Sequence, residues 1–266
     1  MAFGILAALV GSLCSSEEGV EGITEPENDV QLSVAVDGLV SEILVKEGQV
    51  VKKGDILLCL DARLEKNETE KRLMIWKDTA QLQAQTRNRD IVASILSKTR
   101  ELFQKNRSVS EDEVSKVEIE HSRLVGEVLT LEAGEQKEKL DYESSLIELS
   151  RRTLIAPIDG VVTKVSLQCG EWARPTLEVV HLVDISRCRV EMSLEDRIAR
   201  QLDAQTPATV LVKADDKEIR KVGLVSFISP VADQASGLIR VVVSFDNQDL
   251  LVRAGLQARV IFGPNK

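Results

Sequence analysis

Aromatic side chains are nearly absent from this sequence, with five Phe, two Trp and one Tyr in 266 residues. So sparse a set argues against a large aromatic ligand pocket and against stacking on single-stranded bases. Basic charge is also short: 34 Lys and Arg face 43 Asp and Glu, for a net charge of −9. Phosphate backbones select the opposite balance, so nucleic acid is excluded as a partner. The four cysteines, Cys14, Cys59, Cys169 and Cys188, stand far apart with no CxxC, which gives no metal-ligand spacing. Cys59, inside Leu57-Leu58-Cys59-Leu60, reads as a small buried hydrophobe. The two histidines, His121 and His181, are remote in sequence, and with three methionines they offer no support for metal handling.

Catalytic signatures are missing as well. There is no GxSxG, no HExxH, no phosphate-cradling Gly-rich loop followed by Lys-Ser/Thr, and no Cys-His pair in local context. The acidic run Glu111-Asp112-Glu113 reads as a helix first turn favoured by the helix dipole. The expectation is a protein without catalytic residues, cofactor or metal.

The N-terminus carries an apolar stretch from Ala2 to Leu13, too short for a spanning helix but of signal-peptide length. No Lys or Arg precedes it. Residues 1–16 are therefore expected to be a signal or lipoprotein leader. Cys14 is the candidate lipidated cysteine, although Leu13 stands where a lipoprotein signal has a small residue. Residues 17–29 read as an N-terminal segment, and no other stretch has the length and apolarity to cross a bilayer.

What is present is an internal repeat at an offset of 122 residues. The first copy reads Asp37-Gly38-Leu39-Val40-Ser41-Glu42-Ile43 and reaches Gly48. The second reads Asp159-Gly160-Val161-Val162-Thr163-Lys164-Val165 and reaches Gly170. Each begins at an Asp-Gly turn, alternates as a half-buried strand does, and arrives at a second glycine where a turn is needed. Gly54 marks a further turn in the first copy, and Pro157 precedes the second. Each half has one apolar face that it cannot bury alone, so residues 30–61 and 153–184 are expected to pack together as a split β-sandwich.

Between the halves, residues 62–152 contain only Gly126 and Gly134, no proline, and nearly balanced charge with 17 Lys and Arg against 18 Asp and Glu. This is a long-helix composition. Val114, Val117, His121, Leu124, Val128, Leu131, Glu135, Glu138, Tyr142, Ser145 and Leu149 recur at alternating spacings of three and four, a coiled-coil seam. His121 reads as a seam histidine. The first part reads similarly through Ile75, Leu82, Val92, Leu96 and Phe103, with Asp78, Gln85 and Arg89 interrupting. The break falls at Asn106–Glu113, where Ser110 and Glu113 form a capping box. The expectation is an antiparallel hairpin of two helices of about 40–45 residues, each reaching ~60–65 Å.

From Ile185 the pattern is β again. Short strands are expected near 187–194, 208–212, 222–230, 238–245 and 258–262. A short helix at 195–202 turns Ile198, Ala199 and Leu202 inward, and a tight turn lies at Arg253-Ala254-Gly255-Leu256. Together these predict a small β-barrel over 185–263. The fold class is mixed α and β and elongated: a split sandwich with an inserted coiled-coil hairpin, then a barrel.

With those residues in place, the chain resembles periplasmic adaptors, or membrane-fusion proteins, of the hemolysin-secretion (HlyD-type) and efflux kind. Three stretches carry the likeness: Val36-Asp37-Gly38-Leu39-Val40 through Gly54-Asp55-Ile56-Leu57; Leu154-Ile155-Ala156-Pro157-Ile158-Asp159-Gly160; and Lys221-Val222-Gly223 to Asp233, with Asp246-Asn247 and Arg253–Ala258 after it. The resemblance implies that the sandwich is a lipoyl-like domain. It further implies a homo-oligomer bridging an inner-membrane pump, of RND or ABC type, to an outer-membrane channel. The hairpin tip, Arg100, Phe103, Arg107, Ser108, Val109, Ser110 and Glu111, would meet the channel. In channel-binding adaptors the tip carries an Arg, a Leu four residues on and a Ser seven beyond. Here Ser110 fits the serine, Phe103 takes the leucine's place, Thr99 the arginine's, and Arg100 lies one position off. The chain leaves no stretch after the barrel for the membrane-proximal β-domain of many efflux adaptors, so pump contacts are expected on the barrel and sandwich. A carrier domain would present a modified lysine between the sandwich halves, but the helical insert occupies that place and no Met-Lys-Met occurs. The remaining alternative is an exported coiled-coil scaffold without a transport role.

Overall fold

A computed structural model describes residues 19–106, 108–214 and 217–263; the expected leader, with Cys14, and Arg107 lie outside the described residues. The chain runs β1 (Val20–Leu32), β2 (Gly38–Ile43), β3 (Val50–Val51), β4 (Ile56–Leu60), α1 (Arg63–Lys77), α2 (Ala80–Asn106), α3 (Glu111–Ser150), β5 (Thr153–Ile155), β6 (Gly160–Val165) and β7 (Trp172–Ala173). It continues with β8 (Val180–Leu194), α4 (Asp196–Ala199), β9 (Pro207–Ala214), β10 (Lys217–Ala232), β11 (Ile239–Asp246) and β12 (Gln257–Phe262).

The two repeat halves do bury their apolar faces against each other. Val40, Val51, Leu57, Leu58 and Leu60 from the first half share one core with Ala156, Val162, Ala173, Val180 and Leu182 from the second. A four-stranded sheet β5-β4-β2-β7 packs against the arm formed by β3, β6 and β8. The halves also grip each other through backbone bonds that repeat at the sequence offset. Gly48 N–H donates to Val162 O at 2.7 Å, and Gly170 N–H donates to Val40 O at 2.9 Å. Val162 N–H donates to Gln49 O and Val40 N–H to Glu171 O, both at 2.9 Å. The sandwich is thus a pseudo-twofold object.

Its glycines divide into two kinds. Gly48, Gly54 and Gly170 have φ of +83°, +95° and +90°, as does Gly255 in the barrel at +88°, the left-handed region that L side chains avoid. Gly38 and Gly160, expected at turns, instead open strands β2 and β6. Gly160 is required by close approach, since a Cβ there would lie 2.7 Å from Val183 O; at Gly38 a Cβ would meet the movable end of the Arg152 side chain, with Nη1 at 2.9 Å. Pro157 sits exposed in the bend between β5 and β6. Cys59 is half-buried rather than a core residue, whereas Cys188 is fully buried. Burial pushes the Cys188 thiol up to about 11, which leaves it unreactive.

The barrel closes with six strands in the order β1-β12-β9-β10-β11-β8, and β8 pairs back onto β1. The closing strand therefore comes from residues that the sequence leaves as an N-terminal segment. Val-Glu-Gly-Ile-Thr-Glu-Pro-Glu-Asn-Asp is a poor strand signature. Thr24 nonetheless is buried, its Oγ1 accepting from Leu256 N–H at 2.9 Å. Pro26 falls beside the β-bulge between Pro26 and Asn28, where a missing ladder donor is tolerated. Val190, Val210, Val212, Val243 and Val260 fill the barrel, and Ala199, Leu202 and Ile198 pack on it from α4 and the turn that follows.

The hairpin has three helices. α3 runs unbroken for 40 residues, ~60 Å at 1.5 Å per residue. The opposite arm is split at Asp78-Thr79, where Asp78 N–H caps α1 through Ile75 O and Asp78 Oδ1 accepts from Ala80 N–H at 3.3 Å. The split shifts the seam phase. Before it, Thr69, Arg72, Leu73 and Trp76 turn inward, and Ile75 and Asp78 are exposed; after it, Leu82, Gln85, Arg89, Val92, Leu96 and Phe103 take over. Every expected seam position of α3 is buried or half-buried.

Candidate functional site

The hairpin is rooted by a small set of polar contacts. Arg152, just past α3, donates from Nη2 to Glu65 Oε1 at 2.6 Å and from Nη1 to Asp37 O at 2.9 Å, tying α1 and the approach to β2 to the return strand. Above it, Thr69 Oγ1 donates to Ser145 O at 3.3 Å, and both residues are buried on the seam. Trp76 stacks on Tyr142 with ring centroids 5.4 Å apart. One of the two Trp residues and the lone Tyr of the chain thus form a clamp just below the split. The root is specified by hydrogen bonds and one aromatic pair, the shaft by a sparse aliphatic seam.

At the far end the tip residues separate into paired and free ones. Arg100 is engaged across the hairpin, with Nε 2.9 Å from Glu118 Oε1, so its charge is spent between the two arms. Ser110 caps α3: its Oγ accepts from Glu113 N–H and Glu113 Oε2 accepts from Ser110 N–H, both at 3.3 Å. The helix start therefore sits where the sequence places it. Phe103 and Val109 are half-buried; Ser108, Ser110 and Glu111 are exposed. Among the described residues, the first turn of α3 beside the tip is acidic, with Glu111, Asp112 and Glu113.

Beside the seam, α3 carries a second stripe that the seam pattern does not include. Ile119, Gly126, Ala133, Leu140 and Ile147 recur every seven residues, and all are exposed. Ile119 lies two residues after seam position Val117, about 200° round the helix, so the stripe faces away from α2. It is 70% exposed at Ile119, 61% at Leu140 and 62% at Ile147. Nothing within the chain lies within 4 Å of a Cβ built at Gly126, so no intrachain packing demands a glycine there. The flank of α2 adds exposed Ile91, Ile95 and Leu102. The spacing alone was the signal that could have found the stripe. On the sandwich, the cross-strand pair Leu39–Trp172 is exposed beside Leu64 at the hairpin root.

A family description of the barrel-sandwich hybrid domain of RND membrane fusion proteins matches residues 28–180, more than half of the chain. The chain belongs to the RND membrane fusion protein family. It is 26% identical over 229 residues to an uncharacterized protein of Haemophilus influenzae, covering 86% of this chain and 52% of that protein. It is 23% identical over 245 residues to the nodulation protein NolF of Rhizobium meliloti, covering 91% and 62% respectively. The chain thus spans about half to three-fifths of the length of these curated relatives. The crystal structure of MacA from Actinobacillus actinomycetemcomitans superposes with a TM-score of 0.74 at 19% identity, over 92% of this chain and 77% of that one, a likeness of fold. In a membrane fusion protein of this architecture the features above acquire an order: a barrel, a sandwich, and a hairpin carrying the tip away from both. Among the described residues no helix is long and apolar enough to cross a membrane.

Proposed function

We propose that this membrane fusion protein is a periplasmic adaptor that links an inner-membrane transporter to an outer-membrane channel in a tripartite efflux or secretion assembly. The observation that carries the reading is the hairpin. An arm of ~60 Å stands where related carrier folds have a short turn, and it ends in a tip where Ser110 caps α3 and Ser108 and Glu111 are exposed. The role is assembly and transmission along a stiff rod, with no bond-making chemistry. The family's description makes an RND-type transporter the first partner to test, seated on the barrel and sandwich. Attachment to the inner membrane through that partner, an uncleaved N-terminus or a lipid on Cys14 completes the reading.

The outward stripe of α3 supports self-assembly. Exposed apolar residues at strict heptad spacing, with Gly126 and Ala133 allowing close backbone approach, suit a neighbouring hairpin lying alongside. Affinity purification of the full chain from crosslinked cell envelopes, with mass spectrometry of what accompanies it, tests the proposal. A transporter of the inner membrane and a channel of the outer membrane are both expected. Recovery of neither, from cells expressing both, overturns it.

A further inference from the structure

Two strands, β1 and β8, run through both the sandwich and the barrel. β1 packs Val20 in the barrel core and Leu32 against the sandwich core, while β8 lends Val180 and Leu182 to the sandwich and Cys188 to Leu194 to the barrel. They form one antiparallel ribbon, paired from Ile23–Glu191 to Leu32–Val180 and interrupted by the bulge at Pro26–Asn28. Any change in the angle between the two bodies must be taken up in this ribbon, and the bulge is its weakest point.

Side chains bridge the ribbon on both sides of the bulge. On the barrel side Arg189 meets Glu25 at 3.0 Å. At the bulge Asn28 Nδ2 reaches Asp184 Oδ2 at 3.4 Å. On the sandwich side His181 Nε2 contacts Asp29 Oδ1. Charge here is one-sided. Glu25, Glu27, Asp29 and Asp184 bring four carboxylates, and Glu27 Oε2 is buried with no hydrogen-bond partner among the described residues. Against them stand Arg189 and His181, with Lys164 of β6 opposite His181 in the register. Glu47, before β3, is held nearby, its Oε1 accepting from Val165 N–H at 3.1 Å. Thr163 Oγ1 fixes the His181 backbone, donating to its carbonyl at 3.2 Å.

We propose that His181 and Asp29 form a pH-sensitive clasp on the ribbon, stiffening the joint between sandwich and barrel when His181 is protonated and loosening it when His181 is neutral. Histidine is the side chain whose charge ordinarily changes between about pH 5 and 8, and carboxylates ordinarily titrate well below that window. A charged imidazolium answers Asp29 and offsets the carboxylate excess at the bulge; a neutral one leaves that excess in place. Lys164 sits across a ladder pair from His181, while Asp29 is in direct contact with it. The sign follows: the clasp is present on the acid side and is lost as pH rises through the histidine range.

Hydrogen–deuterium exchange of the full chain tests it, corrected for the intrinsic pH dependence of amide exchange and read on peptides covering residues 25–32 and 180–188. Between about pH 5 and about pH 8, protection of these peptides is expected to fall roughly two- to fivefold, the scale of one partly exposed ion pair, with barrel peptides from β9 and β12 unchanged. His181→Gln should remove the pH dependence and sit at the less protected level. His181→Arg, with a permanent charge, should remove it and sit at the protected level, which separates loss of charge from damage to the fold. A pH-independent wild type, a His181→Gln ribbon that keeps the wild-type response, or an arginine variant that exchanges as fast as the glutamine one overturns the proposal.

Discussion

Arg152 holds Glu65 at 2.6 Å across the root of the hairpin, joining the last residues of the returning arm to the first turn of the outgoing one. Its other guanidinium nitrogen donates to Asp37 O, so one side chain fixes the rod to the sheet that carries Gly38. Both partners are largely shielded from water, which lets the contact count for more than a surface pair. Arg152→Ala is expected to cost about 1–2 kcal/mol in chemical denaturation. It should also raise hydrogen exchange in the first turn of α1 while leaving the barrel peptides at their wild-type rates.

The pseudo-twofold grip of the sandwich predicts matched effects at matched positions. Gly48→Ala and Gly170→Ala meet open space but must hold a left-handed backbone, so each should lose about 1–2 kcal/mol. Gly160→Ala fails for a different reason, collision with the Val183 carbonyl, and should lose about 2–3 kcal/mol because the backbone of β8 cannot retreat without opening its core. Urea titrations of the three variants distinguish these cases. Equal losses at Gly48 and Gly160 would show that sterics and backbone strain have been assigned wrongly.

The outward stripe predicts separable effects on assembly and folding. Leu140→Glu places charge on a surface already exposed in the single chain, so the melting temperature should move little. Self-association measured by analytical ultracentrifugation should weaken at least tenfold, as expected for a charge buried at a helix–helix contact. Gly126→Ala should stabilise the isolated hairpin by about 0.5–1 kcal/mol and yet impair assembly if neighbouring backbones approach there.

Acid should weaken the fold before base does. Hydrogen bonding from Arg63 holds Asp61 down to about 2. Arg240 lowers Glu191, Lys221 lowers Asp249, and the Ser236 backbone and hydroxyl lower Asp233. A carboxylate depressed in the folded state contributes stability that is complete above its unfolded value and disappears as pH falls through the folded one. Stability followed by circular dichroism should therefore decline below about pH 4, and Asp249→Asn should flatten that decline.

Much of this architecture was readable in the residues because it rests on periodicity and repetition. The 122-residue offset placed Gly48 and Gly170 at equivalent turns, and the unbroken 3-4 spacing of α3 followed its seam to the end. Where reading failed, local chemistry was ambiguous. The first arm departs from its sequence phase through Ile75 because nothing in Lys77-Asp78-Thr79-Ala80 announces two non-helical residues, and those two residues turn Trp76 inward in its place. Strand β1 went unread because Glu25, Pro26, Glu27, Asn28 and Asp29 lack strand propensity; tertiary pairing with β8 overrides it. Asp159-Gly160 has the sequence signature of a turn, since a Cβ clash with the distant Val183 carbonyl leaves no local trace. The Ile119–Ile147 stripe was legible as spacing, but exposure gives it meaning, and exposure belongs to the folded chain.

The adaptor reading is tested most directly by site-specific photocrosslinking in living cells, with the reactive group placed at Ser108 on the tip and, separately, at Val222 on the exposed face of the barrel. The tip position should capture an outer-membrane channel and the barrel position an inner-membrane transporter. Capture of neither membrane protein at either position, or of the same partner at both, would contradict a rod that spans from one membrane to the other.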